Sequence, residues 1–178
     1  MFGNVAPEIL KVEYNPEVMN TDIVTIFEDD DLSPFSLGQY VANGTVGMAR
    51  VEEEGRGLVT ELRFDTNEAV VYWQAPFGFD VSAFDRIEFD VKVVADPRDE
   101  GGLMMKMDCF HPCGSGDFPI EAAQNGEWNS FSIPLADLVA HKGSSLDLGN
   151  VNTPLVIFPD WGNQKGVVLR VDGLRLVR

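Results

Sequence analysis

The sequence has few of the residues on which nucleic-acid-binding proteins and most enzymes depend. Its 178 residues include 13 Lys and Arg against 29 Asp and Glu, and only 2 His, so the formal net charge is −16. Nucleic-acid binders use clustered Lys and Arg, and anionic membranes attract the same residues, so neither is an expected partner. The acidity suits a neutral ligand or a cation such as Ca²⁺, and it also serves plain solubility.

Common enzyme motifs are missing as well. The chain contains no GxSxG, no GxxxxGK, no HExxH, and no GxGxxG before a helix. A glycosidase needs two carboxylates that flank one bond, but among 29 acidic residues a pair such as Asp90 and Asp108 is not distinctive. The sequence therefore predicts a non-catalytic protein, with a small glycan-active enzyme as an alternative.

Long apolar runs are absent, and cysteine is scarce. No stretch is long enough to span a membrane, and the first residues lack the basic start and apolar core of a signal peptide. Cys109 and Cys113 either close a small disulfide loop, which requires export, or remain two free thiols. We expect a cytoplasmic protein or, preferably, a domain of a longer exported bacterial protein that is secreted or held at the cell surface.

The sequence is rich in period-2 alternation, which indicates strands with one buried face. It is clearest over 86–94, where Ile87, Phe89 and Val91 alternate with polar residues. Turn signals recur at short intervals, so we predict an all-β antiparallel β-sandwich of jelly-roll type. Residues 1–20 are interpreted as a linker or leader, and residues 21–178 as one β-sandwich domain. The predicted strands cover 22–28, 57–64, 69–74, 86–94, 103–110, 127–135, 154–158 and 166–177, with a helical turn over 135–141.

Three tryptophans are candidates for stacking on a sugar ring, because sugar rings present apolar faces to aromatic platforms. Trp161 lies in a turn, where a core role is less expected than in a strand. In the run Val71-Tyr72-Trp73-Gln74, either Tyr72 or Trp73 must face away from the core. We predict Trp73 and Trp161 as ligand residues and interpret Trp128 as packing.

Polar residues near the predicted strands could bind sugar hydroxyls. Lys106, Asp108 and Phe110 share one face of the strand over 103–110, and Arg170 lies in the last strand. We predict these four residues, with His111 in the turn beyond, as further ligand residues. Cross-strand Lys–Asp pairs also stabilise sheets without any ligand, so that alternative stays open.

The acidic run at Glu28-Asp29-Asp30-Asp31 concentrates the hard oxygen ligands that Ca²⁺ prefers. The first and last strands of a jelly roll are often neighbours, which would bring Asp172 to this run. We predict Glu28, Asp30 and Asp172 as ligands of a structural Ca²⁺, with a solvated acidic turn as the alternative.

Three stretches carry a family resemblance. Residues 79–91 resemble the D-x-S-x-[YF]-D-x-[IL]-x-F-D-[VI] stretch of galactose-binding-like jelly rolls, and residues 127–138 are similar to their W-x-x-x-x-[IV]-P-L-x-D-L stretch. Residues 171–176 resemble their closing [VI]-D-[ND]-[IL]-x-[LF], with Gly173 where Asn is commoner. The relatives are carbohydrate-binding modules appended to marine bacterial exo-glucosidases and laminarinases.

The resemblance implies export, a role beside a glycoside hydrolase domain in cis, and in many such modules a structural Ca²⁺. We therefore expect a module that recognises a soluble β-glucan polysaccharide, with a laminarin-like β-1,3-glucan as the first choice, and that targets a linked hydrolase to it. The alternative is a structural accessory domain without a ligand, since one fold carries many functions. An exposed aromatic residue flanked by polar groups would favour binding.

Overall fold

A computed structural model of the chain describes residues 21–98, 102–123 and 126–178. The predicted linker at 1–20 lies outside these ranges. The described part contains one short helix, α1 (Leu135–Ala140), a 3-10 turn at Leu148–Asn150, and ten strands. The strands are β1 (Ile23–Glu28), β2 (Asp30–Asp31), β3 (Ser36–Glu53), β4 (Gly57–Gln74), β5 (Arg86–Ala95), β6 (Gly102–Asp108), β7 (Phe118–Glu121), β8 (Trp128–Pro134), β9 (Thr153–Pro159) and β10 (Val168–Val177).

All strand pairs are antiparallel, and one hydrogen-bonded sheet curls into two layers. The first layer has the order β8-β5-β10, followed by β1 and the first half of β4. The second has the order β3-β4-β9-β6-β7 and uses the second half of β4. The long β3–β4 hairpin therefore runs through both layers, as in a β-sandwich whose strands change sheet. The predicted all-β antiparallel sandwich is confirmed.

The core lies between the layers and follows from the alternation. In β5 the side chains of Ile87, Phe89, Val91 and Val93 are buried, whereas the residues between them are partly exposed. Strand β9 is buried along its whole length, because it lies inside its sheet between β4 and β6. No helix in the described ranges is long and apolar enough to cross a membrane.

Strand β3 is absent from the sequence prediction, and β4 joins two predicted strands into one. Gly38, Gly44 and Gly47 lower the intrinsic strand propensity of β3. Its register against β4 nevertheless runs from Ser36–Gln74 to Glu53–Gly57, with shifts around Asn43. The partner strand therefore determines this structure, not local propensity.

The acidic turn after β1 has a structural role. The Asp31 carboxylate accepts hydrogen bonds from Arg50, at 2.6 Å, from the Trp73 indole N–H, at 2.9 Å, and from the backbone N–H of Leu37, at 3.0 Å. Asp29 Oδ1 accepts the backbone N–H of Leu58 at 2.8 Å. These carboxylates tie β1 and β2 to the β3–β4 hairpin.

Candidate glycan-binding groove

A groove of about 490 Å³ lies on the outer face of the second layer, away from the core. We call it the groove throughout. It combines aromatic, aliphatic, amide, hydroxyl and charged side chains on four neighbouring strands and two loops. Its lining consists of Tyr40, Val70, Tyr72, Gln74, Lys106, Asp108, His111, Thr153, Val156 and Trp161.

The strand register places these side chains in rows across the sheet. Tyr72 on β4 is opposite Gly38 on β3 and Val156 on β9, and Val156 is in turn opposite Lys106 on β6. Directly opposite residues share a face, so the row is aromatic at one side and cationic at the other. Gly38 makes room for the Tyr72 ring, because a Cβ at position 38 would lie 2.5 Å from Tyr72 Cε2.

One end of the groove is aromatic and open to solvent. Tyr40 is 59% exposed and Trp161 is 46% exposed. The Trp161 ring packs against the buried Phe158, with 5.1 Å between ring centroids. Its other face is therefore available as a platform, and the loop that carries it follows β9, which is a strand of the groove floor.

The other end is polar. Gln74 Nε2 donates to Thr153 Oγ1 at 3.0 Å, and Thr153 is the register partner of Asp108. Lys106 Nζ lies 3.5 Å from Asp108 Oδ2. Asp108 Oδ1 is buried and has no hydrogen-bond partner among the described residues. Burial raises the pKa of Asp108 above its ordinary 3.8, against the opposing charges of Lys106 and His111.

A small disulfide loop borders this polar end. Cys109 and Cys113 are joined by a disulfide, so the first of the two alternatives from the sequence holds in the structure. The loop contains a cis His111–Pro112 peptide bond and presents His111 to the groove. After it the chain turns back so that Gly114 pairs with Asp108. Only glycine fits there, since a Cβ would collide with Asp108 Oδ1.

The prediction for Trp73 is corrected by its burial. Trp73 is 0% exposed, its ring lies 5.9 Å from that of Phe27, and its indole N–H donates to Asp31. A side chain in the core offers no face to a ligand. Alternation along β4 instead turns Tyr72 outward into the groove.

The remaining predicted ligand residues divide between the two layers. Lys106, Asp108, His111 and Trp161 line the groove together. Phe110 is 42% exposed beside His111, but it is not part of the lining. Arg170 lies on β10, in the other layer, and the prediction that it shares a site with Lys106 is therefore corrected.

Arg170 belongs to a surface that we call the charged face. It is the outer side of the first layer, covered at one edge by the tip of the β3–β4 hairpin, and its members are paired with one another. Arg170 binds both Glu53 and Glu61, Lys92 binds Glu53 at 2.7 Å, and Arg56 binds Asp90 at 2.8 Å and Asp172 at 2.9 Å. The charged face comprises Glu53, Arg56, Glu61, Asp90, Lys92, Trp128, Arg170 and Asp172.

The predicted Ca²⁺ ligands do not fit one site. Within the described ranges, no three His, Cys, Asp or Glu side chains are grouped so that they could hold a metal ion. Glu28 pairs with Asp30 in the β1–β2 hairpin, whereas Asp172 binds Arg56 on the charged face. The reason is the register: β1 pairs with β10 only from Leu174 onward, and β4 takes over at Val168–Val171.

Several residues of the groove were not predicted from the sequence. Tyr40 lies on the strand that the sequence did not predict, and Val70 and Val156 have apolar side chains typical of a core. Gln74 and Thr153 carry no pattern of their own. One signal could have found the groove. Alternation along β4 places either Tyr72 or Trp73 on the outer face, so Tyr72 was the second candidate for a ligand residue.

A second depression, of about 440 Å³, lies at the bend of the β3–β4 hairpin. It is lined by Asn43, Gly44, Asp65, Thr66, Asn67, Glu68 and Lys165. It has no aromatic side chain, so it offers no platform for a sugar ring.

Solved structures with the same fold include carbohydrate-binding modules. A family 11 carbohydrate-binding module from Clostridium thermocellum, solved in complex with a β-1,3-1,4-mixed-linked tetrasaccharide, is 18% identical with a TM-score of 0.58, covering 87% of this chain and 95% of that one. The extra C-terminal domain of an exo-1,3/1,4-β-glucanase from a Pseudoalteromonas species is 12% identical with a TM-score of 0.61, covering 86% and 91%. At these identities the likeness shows the fold alone.

The whole exo-1,3/1,4-β-glucanase from the same Pseudoalteromonas species matches with a TM-score of 0.65 and 13% identity, over 88% of this chain and 20% of the enzyme chain. No curated protein sequence matches the chain. The family model Exop_C, galactose-binding domain-like, matches residues 26–166, which is well over half of the sequence. The chain therefore belongs to the Exop_C family of galactose-binding-like domains.

Proposed function

We propose that the protein is a non-catalytic carbohydrate-binding module that binds a soluble β-glucan in the groove. The observation that carries this is the composition of the groove, in which Tyr40, Tyr72 and Trp161 accompany Lys106 and Asp108 on one open face. Aromatic rings receive the apolar faces of sugar rings, and polar side chains bind the hydroxyls. An accessory domain without a ligand would have no reason to expose such a set.

The charges of the groove favour a neutral polysaccharide. Lys106 is balanced by Asp108 3.5 Å away, and the chain as a whole carries −16. A polyuronate would meet the repulsion of the acidic surface, with one lysine in the groove to offset it. Neutral glucans meet no such cost, and a laminarin-like β-1,3-glucan is our first choice among them.

The carboxylate count supports a binding role over hydrolysis. Asp108 is the one carboxylate among the described residues that line the groove. Hydrolysis of a glycosidic bond ordinarily needs two carboxyl groups on either side of that bond. The raised pKa of Asp108 fits half of such a pair, but the other half is not in the groove.

The cellular role follows the family likeness. We propose that the domain is part of a longer exported or surface-held bacterial protein and brings a linked glycoside hydrolase to its polysaccharide. The Cys109–Cys113 disulfide supports export, because disulfides persist in oxidising compartments. A structural Ca²⁺ stays a prediction, without the ligand set of Glu28, Asp30 and Asp172.

The proposal is tested by affinity electrophoresis of the full chain in gels that contain laminarin, mixed-linked β-1,3-1,4-glucan, xylan or alginate. Retardation is expected with the β-glucans, laminarin first, and not with alginate. Isothermal titration calorimetry with laminarin then compares the wild type with Trp161→Ala. Loss of one stacking platform should weaken binding at least tenfold, which is about 1.4 kcal/mol or more.

The matched control is Trp128→Phe, which replaces the tryptophan on the charged face and leaves the groove unchanged. Its affinity for laminarin should equal that of the wild type. Unfolding followed by circular dichroism shows that both variants remain folded. If the wild type is retarded by no polysaccharide, the protein is an accessory domain, and release of reducing sugar from laminarin would instead reveal an enzyme.

A further inference from the structure

The Cys109–Cys113 disulfide loop is a feature that binding as described so far does not use. It spans five residues between the end of β6 and the Gly114 bridge. It leaves β6 directly after Asp108, which is a floor residue of the groove, and His111 at its middle lines the groove. The loop therefore borders the polar end of the binding surface.

The loop has a conformation that its closure holds in place. Phe110 has a φ of 66°, in the left-handed region that a bulky non-glycine residue rarely adopts. Its side chain is exposed, so burial of the ring does not stabilise this conformation. Hydrogen bonds anchor the loop besides the disulfide. Among them are those from Phe110 N–H to Asn152 Oδ1 at 2.7 Å, from Cys109 N–H to Cys113 O at 2.9 Å and from Cys113 N–H to Phe110 O at 3.0 Å.

The atoms beneath the loop link it to the floor of the groove. Asp108 Oδ1, which is buried and unpartnered among the described residues, lies against Gly114 immediately after the disulfide. A change in the path from Cys109 to Gly114 alters the cover of this oxygen and the place of the His111 ring together. The exposed His111 ring lines the polar end of the groove, whereas Asp108 Oδ1 lies buried against Gly114.

We propose that the Cys109–Cys113 disulfide positions His111 for contact with the bound glycan, so that the affinity of the groove depends on the redox state of this cysteine pair. The inference rests on the proposed function. Cys109 and Cys113 are positioning residues, and the His111 ring is the contact. With the disulfide open, Phe110 relaxes to a negative φ and His111 leaves the groove, while the core between the layers stays packed.

The redox step is ordinary thiol–disulfide exchange with a dithiol. A thiolate of dithiothreitol attacks the sulfur of one cysteine, which forms a mixed disulfide and releases the other cysteine as a thiolate. The second thiol of dithiothreitol then attacks the dithiothreitol sulfur of the mixed disulfide and releases the first cysteine. Cys109 and Cys113 gain two electrons and two protons, and dithiothreitol becomes a cyclic disulfide. Cys113 is only partly buried, which gives the reagent access.

The test measures laminarin affinity by calorimetry, in oxidising buffer and in dithiothreitol, for the wild type, Cys109→Ser/Cys113→Ser and His111→Ala. Loss of one ligand hydrogen bond and its geometry should weaken binding about two- to tenfold. We expect that loss in the reduced wild type and in the double variant, and the double variant should not respond to dithiothreitol. His111→Ala keeps the disulfide and should bind equally weakly in both buffers.

Equal affinity of the oxidised and reduced wild type would overturn the inference. So would wild-type affinity, or a retained redox response, in His111→Ala. Thermal unfolding shows whether the proteins without the disulfide still fold. If they do not, His111→Ala alone still tests whether His111 contacts the glycan. If the oxidised wild type binds neither laminarin nor mixed-linked β-glucan, the proposed function fails first. Binding that ignores the redox state overturns this inference alone.

Discussion

The two outer faces of the sandwich use polar side chains in opposite ways. On the charged face, each of the carboxylates of Glu53, Glu61, Asp90 and Asp172 is held by an arginine or a lysine of the same chain. The Trp128 ring there is covered by the Arg56 guanidinium, 4.1 Å from its centroid. One buried polar atom on each face has no hydrogen-bond partner among the described residues, Trp128 Nε1 on the charged face and Asp108 Oδ1 beside the groove. In the groove, by contrast, the rings of Tyr40 and Trp161 are open to solvent.

The difference supports the proposal that the groove, and not the charged face, binds a ligand. A set of ion pairs that already satisfy one another stabilises the fold, and a ligand would have to break them before it could bind. Aromatic rings that are open to solvent have no such cost. Charge density alone would have selected the charged face, whereas the exposed rings favour the groove.

The largest effect is expected for Arg170→Met. It keeps the length of the side chain but leaves Glu53 and the buried Glu61 with fewer partners. We expect the free energy of unfolding to fall by about 2 kcal/mol, because the buried Glu61 carboxylate loses one of its two counter-charges and keeps only Arg63. Urea unfolding measures this change. Laminarin affinity should stay at the wild-type value, and a parallel loss of affinity would place Arg170 in the site after all.

The next effect concerns the platform in the groove. Gly38→Ala puts a Cβ against the Tyr72 ring and should displace it, so we expect laminarin affinity to fall about three- to tenfold, as for the loss of a part of one stacking contact. Gly47→Ala on the same strand is the matched control, since its Cβ meets only Arg63 Cβ at 3.6 Å. Calorimetry on both variants checks this, and a similar loss in both would mean that β3 itself is disturbed.

Acid should destabilise the protein through the charged face. Hydrogen bonds from Lys92 and then Arg170 lower the pKa of Glu53, and bonds from Arg170 and Arg63 overcome burial to lower the pKa of Glu61. Groups with a lowered folded pKa contribute stability above the unfolded value, here 4.5, and lose it as the pH falls through the folded value. The melting temperature should therefore drop below pH 4.5, and less steeply in Arg170→Met.

The smallest effect is the titration of Asp108, which has the opposite sign. Burial raises its folded pKa above 3.8, so its ionised form costs stability, and that cost disappears as the pH falls. Carboxyl ¹³C signals should show Asp108 titrating above 3.8 and Glu61 below 4.5. A pKa of Asp108 at or below 3.8, or of Glu61 at or above 4.5, would remove the contrast between a carboxyl group whose pKa burial raises and one whose pKa its ion pairs lower.

The sequence predicted the layers better than the site. The alternation in 86–94 reproduces the buried face of β5, because a strand in the middle of a layer must bury every second side chain. It could not show that β3 exists, since a strand with Gly38, Gly44 and Gly47 forms only against its partner. Tyr40 was lost with that strand.

The predictions for individual site residues were wrong where the position of a side chain depends on a contact partner far away in the sequence. Nothing near Arg170 shows that Glu53, 117 positions earlier, will bind it. Nothing near Trp73 shows that Asp31 will accept its indole N–H. Lys106 and Asp108 were found because they share one face of one strand, and Trp161 because a tryptophan in a turn is seldom needed for packing.

The three tryptophans allow a single measurement to test whether the groove binds the glycan. Their indole N–H signals report the core (Trp73), the charged face (Trp128) and the groove (Trp161) separately. In a ¹H–¹⁵N titration with laminarin oligosaccharides, the Trp161 signal should shift with saturation while those of Trp73 and Trp128 stay in place. A shift of Trp128 with a stationary Trp161 would contradict the assignment of the binding surface.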